Sequence, residues 1–208
     1  MTAVDNETNT LLERLSSVTV PTIGHFLEDG FLDSAITRLA GSGTVVGPAR
    51  TVRIAGNDAI AMNHAILALE PGEVLVVSMC GDHRHAPLGA VTAAAIVARG
   101  GLGVIVDGVV TDIGDLRASG LTVHARGTAC LTTKRHYGKD SEHGTPVECG
   151  GVRVATGDLV LASDDGVASL THKAAAGVVH LAQESDAAEP ELLRRIRTGE
   201  PLESILAH

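Results

Sequence analysis

From Gly89 to Asp112 the chain reads GAVTAAAIVARGGLGVIVDGVVTD, and this stretch limits the fold more than any other. The spacing predicts a helix of small residues, a break at Gly100-Gly101, a buried strand over Val104-Ile105-Val106, and then a loop presenting Asp107 and Asp112. A helix followed at once by a buried strand is the repeating unit of an α/β sheet. Acidic residues just past the end of such a strand are a common way to hold a metal or a base.

The composition agrees. Hydrophobic residues make up 44% of the 208 positions, yet there are only two Phe, one Tyr and no Trp. The apolar part is therefore mostly Ala, Val, Leu and Ile, which suit closely packed strands and Ala-rich helices. One domain over residues 1–208 is expected, with a core that needs no disulfide or metal staple. Few aromatics leave little for bases to stack on, and 25 acidic against 16 basic residues give a net charge of −9. Both features argue against nucleic-acid partners. The opening MTAVDNETNTLLERL is polar and acidic, unlike a signal or transit peptide, and no apolar run reaches the length of a membrane span. Cys80, Cys130 and Cys149 are odd in number and widely spaced; they read as reduced thiols of a cytoplasmic protein.

Along the chain, Asn9 or Thr10 is expected to cap a first helix through Ser17, with Val20-Pro21-Thr22 interrupting before a second near Ile23. Strands are expected over Thr44-Val45-Val46 and Thr51-Val52-Arg53-Ile54, punctuated by Gly47-Pro48, and over Glu73 to Val77. Asn57 to Leu69 has helical spacing. A hairpin is expected from Val147 to Val154 around Gly150-Gly151, and a strand over Leu159 to Ala162. Ser163 to Gly166 should turn the chain toward a C-terminal helix that Pro190 divides.

Several stretches in order resemble one known family. They are Gly47-Pro48-Ala49-Arg50-Thr51-Val52, Pro71-Gly72-Glu73-Val74-Leu75-Val76-Val77, and Ala98-Arg99-Gly100 through Asp107-Gly108. Next come Ala125-Arg126-Gly127-Thr128, then Gly150-Gly151-Val152 with Gly157-Asp158-Leu159-Val160 and Asp164-Asp165-Gly166-Val167, and last Arg197-Thr198-Gly199-Glu200 with Ile205-Leu206. Together they resemble the RraA-like family of class II 4-hydroxy-4-methyl-2-oxoglutarate aldolases, oxaloacetate decarboxylases and a ribonuclease-inhibiting regulator. The resemblance implies a single-domain swivelling β/β/α-type α/β fold, assembled as a homotrimer or homohexamer with active sites between subunits.

The family's aldolases carry an early Asp and a later Arg-Asp pair; the matching positions are Ala90, Thr111 and Asp112. In those aldolases the Arg grips the substrate carboxylate and stabilises an enolate, while the two Asp support a hydrated Mg²⁺ or Mn²⁺. A guanidinium fork matches a carboxylate bidentately, which Thr cannot copy. Losing one such preorganised charge costs on the order of 3 kcal/mol in the barrier. Asp112 remains as the expected metal holder. The loop Gly81-Asp82-His83-Arg84-His85 offers replacements: Arg84 for the lost cation, and His83 and His85, with Asp82 or Asp112, for metal binding or acid–base work. The same loop also reads as plain solvated surface. Gly81, Asp82, Gly89 and Thr111 are expected to border a small anionic substrate. Asp112 has a second reading as a helix cap, and Asp107 reads first as a loop-ordering residue.

Other signals are weaker. Asn57-Asp58 reads as a cap, and His64 as a core or interface histidine. Lys134, Arg135, His136, Lys139 and His143 read either as a basic patch for an anion or as a solvated loop, and Glu189 falls near where aldolases lend a Glu from the adjacent subunit. No phosphate loop follows from Gly41-Ser42-Gly43, no nucleophile elbow occurs, and nothing marks Cys80 or Cys130 as activated. The sequence thus favours a diverged, divalent-metal-assisted lyase for a small carboxylated or keto substrate. Two alternatives stay open: a non-catalytic binding or regulatory protein on the same scaffold, and a metal-independent acid–base enzyme built on His83 and His85.

Overall fold

A computed structural model describes residues 3–135 and 140–206. Helices α1 (Ala3–Leu15) and α2 (Val20–Ile23) lead to strands β1 (Thr37–Ala40) and β2 (Val45–Arg53). Then α3 (Ala59–Leu67), β3 (Val74–Ser78), α4 (Ala90–Ala98), β4 (Gly103–Val110), α5 (Ile113–Ala118) and β5 (Thr122–Thr128) alternate. The short β6 (Glu142–His143), the hairpin β7 (Val147–Cys149) and β8 (Val152–Val154), and the pair β9 (Leu159–Ser163) and β10 (Gly166–Leu170) follow. Helices α6 (His172–Arg197) and α7 (Glu203–Leu206) close the chain.

The main sheet has the order β1-β5-β4-β3-β2-β9-β10, with β6 also on β2. Strands β2 to β5 run parallel, and each is joined to the next through one helix. Strand β3, VLVVS, is buried at every position because both faces are covered. Leu75 and Val77 face α3, α4 and α5 in one core, whereas Val74 and Val76 face Ile36, Val147, Cys149 and Val160 in another. A third core packs α1, α2 and α6 on the remaining face of β9 and β10, through Leu15, Ile23, Val179, Leu161 and Leu170. The expected mixed α/β architecture is thus found. No described helix is long and apolar enough to cross a membrane.

Several local expectations are corrected. Gly47-Pro48 does not break β2: Gly47 is needed inside the strand, where a Cβ would stand 2.5 Å from the Gly72 carbonyl oxygen. Pro21 starts α2 instead of interrupting a helix, because Thr19 caps it and proline fits the first turn. The first helix runs from Ala3 to Leu15, earlier than its expected caps. Ser163 to Gly166 closes a β9–β10 hairpin, and α6 continues through Pro190. Proline removes one backbone hydrogen bond there, and residues 187–194 are all exposed, so water can satisfy the freed carbonyl.

His124 on β5 links the two halves of the sheet. Its ring is fully buried, Nε2 donates to the Ser163 carbonyl at 2.7 Å, and Nδ1 has no partner among the described residues. Burial pushes its pKa below the usual histidine value, and the neighbouring Arg38 acts the same way against the opposing pulls of the Ser163 carbonyl and Asp164. The folded state therefore resists the proton, so its stability falls as pH drops below the unfolded value of about 6.5. Urea midpoints measured at about pH 7.5 and about pH 5.5 should fall less in His124→Gln than in the parent chain. An equal fall in both would contradict this role.

Candidate active site at the strand ends

Parallel strands leave their carboxyl ends facing one side, and loops must close them there. Two such loops matter: residues 79–89 after β3 and 111–112 after β4. The only described non-glycine residues with left-handed backbone are Cys80 (φ 52°) and Asp112 (φ 52°), one in each loop. Such strain needs surroundings that over-determine it, and it concentrates at functional sites. One backbone bond joins the two loops, Thr111 N–H donating to the Leu88 carbonyl at 2.9 Å, and another ties the first to the segment after β5, Ala86 N–H donating to the Leu131 carbonyl at 2.8 Å.

Asp82 orders its own loop. Its carboxylate accepts from the amides of Arg84 (2.8 Å) and His85 (3.2 Å), and from His85 Nδ1 at 2.6 Å. Burial acts to raise its pKa, but the Arg84 amide, the His85 ring and the His85 amide outweigh it and hold the carboxyl below its usual range. The Arg84 side chain beside it is exposed, with no partner among the described residues.

Asp107 lies inside β4, opposite Ser78, and not in a loop beyond the strand as expected. The β4–β5 ladder slips between Val106 and Val109, a bulge that re-aims side chains. Asp107 accepts from Arg126 Nε at 2.5 Å and from the Gly150 amide at 2.8 Å, so it does order a loop. Arg126 NH1 also donates to Asp33 at 2.7 Å. Burial pulls the Arg126 pKa down, but Asp33 and Asp107 together raise it. His83 stands by this cluster, 3.8 Å from Asp107. Sequence reasoning grouped His83 with Asp82 or Asp112 and missed Arg126 and Asp33. Arg126 did stand in a quoted motif, but a motif does not name its partner.

Asp112 stands at the N-cap position of α5, where its carbonyl accepts from Leu116 N–H at 3.0 Å, but its side chain makes no bond to that helix. It reaches across to α4, accepting from Ala90 N–H at 3.0 Å, while Thr111 Oγ1 donates to its other oxygen at 3.3 Å. The contact is tight: a Cβ on Gly89 would lie 2.5 Å from the Asp112 carboxylate. Gly89 is thus a packing residue under Asp112, and Thr111 is half-buried next to it.

The remaining expectations divide. Asp58 caps α3 through Ile60 N–H at 2.9 Å, as expected. His64 is exposed, edge-on to His143 with ring centroids 6.2 Å apart, and is not in the core of this chain. Of the basic patch, Lys134 bonds Thr132 through Nζ at 3.3 Å, while His136 and Lys139 lie outside the described residues. Glu189 lines a cleft with Asp186 and Arg197 and does not join the strand-end groups within one copy. Cys80 and Cys130 are exposed; Cys149 is buried, which pushes its thiol pKa well up. Gly41 and Gly43 shape the turn between β1 and β2, where a Gly41 Cβ would meet Thr122 at 2.6 Å.

Within one copy the strand ends offer few ligands for a divalent ion. One Asp112 oxygen is taken by the Ala90 amide, position 90 offers only a methyl group, and no three His, Cys, Asp or Glu are gathered for a metal among the described residues. The residues of one copy do not fit the expected Mg²⁺ or Mn²⁺ site.

A family model described as RraA-like, Aldolase/RraA, matches residues 21–168. The chain belongs to the RraA-like family. Among its RraA-like relatives, one from Halalkalibacterium halodurans is provisionally named 4-hydroxy-4-methyl-2-oxoglutarate aldolase. It is 35% identical over 136 residues, 65% of this chain and 64% of that relative, so the match spans under two thirds of the relative's length. Streptomyces coelicolor RraAS2, described as an unusual member of the RNase ES inhibitor RraA protein family, superposes with a TM-score of 0.76 at 27% identity, over 89% of this chain and 96% of its own. An uncharacterized protein from Pseudomonas syringae shares the fold with a TM-score of 0.82 at 23% identity, over 95% and 92% of the two chains.

The Asp112 tie has a measurable weight. Asp112→Ala should lower stability by about 1 kcal/mol, the usual weight of a helix cap. In a melting experiment that is a drop of about 2–4 °C. Asp112→Asn, which keeps an acceptor oxygen, should lose less. An unchanged melting temperature in Asp112→Ala would remove the tie from the account.

Proposed function

We propose that this RraA-like chain is a lyase that cleaves a carbon–carbon bond, or removes carbon dioxide, from a small carboxylated keto substrate at the ends of β3 and β4. The observation that carries this reading is the 82–85 loop. An unpaired Arg84 guanidinium sits there beside a His85 ring fixed by Asp82, on the loop that closes the strand ends. Arg84 supplies the cation that Thr111 cannot, gripping the substrate carboxylate. Gly81, in the same loop, has open space where a Cβ would stand. Because the donors of one copy do not fit a divalent ion, no step is assigned to Mg²⁺ or Mn²⁺.

We further infer that the site is shared between copies in a homotrimer or homohexamer. Helix α4 carries no charged residue, yet its Val91 is 84% exposed and Val97 is also exposed, with Leu67 of neighbouring α3 69% exposed. A stripe of that kind calls for a protein partner. A second reading, a binding or regulatory protein without catalysis, draws support from the missing Asp and Arg at positions 90 and 111.

The test is pyruvate release from oxaloacetate and from 4-hydroxy-4-methyl-2-oxoglutarate, with and without a chelator. Turnover on either supports the lyase; none on both favours the regulatory reading. Where turnover is seen, Arg84→Ala should lower kcat/KM by roughly 10–100-fold, mainly through KM, as expected for losing a charge-assisted hydrogen bond. Arg84→Lys should recover part of it. Unchanged KM in Arg84→Ala would exclude Arg84 from substrate binding.

A further inference from the structure

Asp82 holds the His85 ring in a fixed orientation. The 2.6 Å bond joins Asp82 Oδ2 to His85 Nδ1, and the other Asp82 oxygen is held by the amides of Arg84 and His85. With one edge anchored to the backbone, the carboxylate presents its second oxygen to the ring in a fixed direction. A carboxylate only accepts, so Nδ1 carries the hydrogen, and in the neutral ring Nε2 keeps its lone pair. Nε2 has no partner among the described residues, and about a fifth of the side chain (21%) stays exposed. An imidazole with Nδ1 bonded to a carboxylate and Nε2 free is the arrangement of a general base whose tautomer and orientation are set by a third group. The two non-glycine left-handed residues lie in the same two loops. His83 does not share this geometry, since its contact with Asp107 is 3.8 Å and its side chain is half exposed.

We infer that His85 is the catalytic acid–base group of this site, with Asp82 as its positioning residue, in a reaction that needs no metal-bound water to move the proton. This rests on the lyase reading above. For a substrate with a hydroxyl group two carbons from its keto carbon, the hydroxyl proton passes to His85 Nε2. The oxygen closes to a carbonyl, the carbon–carbon bond breaks, and its electron pair forms the enolate of the departing 2-oxo acid. The enolate carbon then takes the proton back from Nε2, leaving a carbonyl product, a neutral-ring His85 and a 2-oxo acid. Atoms and electrons balance without an oxidant or a reductant, and Arg84 grips the substrate carboxylate throughout.

Two measurements test this on the full chain. The first needs no substrate: nitrogen-15 NMR of the neutral His85 ring should show the Nδ1–H tautomer. In Asp82→Asn the ring should revert toward the Nε2–H form usual for histidine. A ring already in the Nε2–H form in the parent chain would overturn the dyad, as would a tautomer indifferent to Asp82→Asn. The second is turnover of 4-hydroxy-4-methyl-2-oxoglutarate with a chelator present. His85→Gln should lower kcat on the order of a hundredfold or more, the usual scale for a lost acid–base group, with KM little changed. Full turnover by His85→Gln would overturn the role of His85 alone. Absence of turnover by the parent chain would overturn the lyase reading and this role with it.

Discussion

Backbone amides hold three carboxylates in place at the ends of the parallel strands, and the site end of the molecule depends on those bonds. Asp82 accepts from the amides of Arg84 and His85, Asp107 from that of Gly150, and Asp112 from that of Ala90. Each bond satisfies a loop or helix-end N–H that would otherwise lack a partner. Each also fixes the direction of a carboxylate, so that its remaining oxygen faces one neighbour. Asp107 meets Arg126, Asp82 meets the His85 ring, and Asp112 meets only the Thr111 hydroxyl.

The chemistry follows from which neighbour is met. An RraA-like aldolase would combine a carboxylate at position 90 with Asp112 and an arginine at 111. Here a methyl group and a hydroxyl take those places, and Asp112 becomes a tie between β4 and α4. In the reading proposed above, the preceding loop supplies a cation and a proton carrier instead, as Arg84 and His85. The parallel strands and the loops that close their ends keep the family's fold, while positions 90 and 111 carry neither of the expected charges.

How much of this was legible in the sequence depends on the range of the interaction. The consecutive apolar residues of β3, the Asp58 cap and the hairpin around Gly150-Gly151 depend on neighbours in sequence, and each was expected where it is found. The 82–85 loop stands out in the sequence for its His-Arg-His beside Asp, which reads either as a site or as plain solvated surface. Contacts between distant residues were not legible. Asp33 and Arg126 are 93 residues apart, and Asp112 reaches a helix 22 residues earlier. Gly47-Pro48 and Pro190 misled for a related reason. They break isolated elements, but a close approach to Gly72 and an open, hydrated helix face accommodate them.

The central proposal is that Asp112 serves as a structural tie and that His85, not a metal-bound water, moves the proton. Mn²⁺ titration followed by electron paramagnetic resonance tests it most directly, because free and bound Mn²⁺ are separately visible. The parent chain should show no saturable site tighter than about 1 mM that depends on Asp112, whereas Ala90→Asp combined with Thr111→Arg should create one by restoring the second carboxylate. A saturable Mn²⁺ site in the parent chain, lost in Asp112→Ala, would contradict the account.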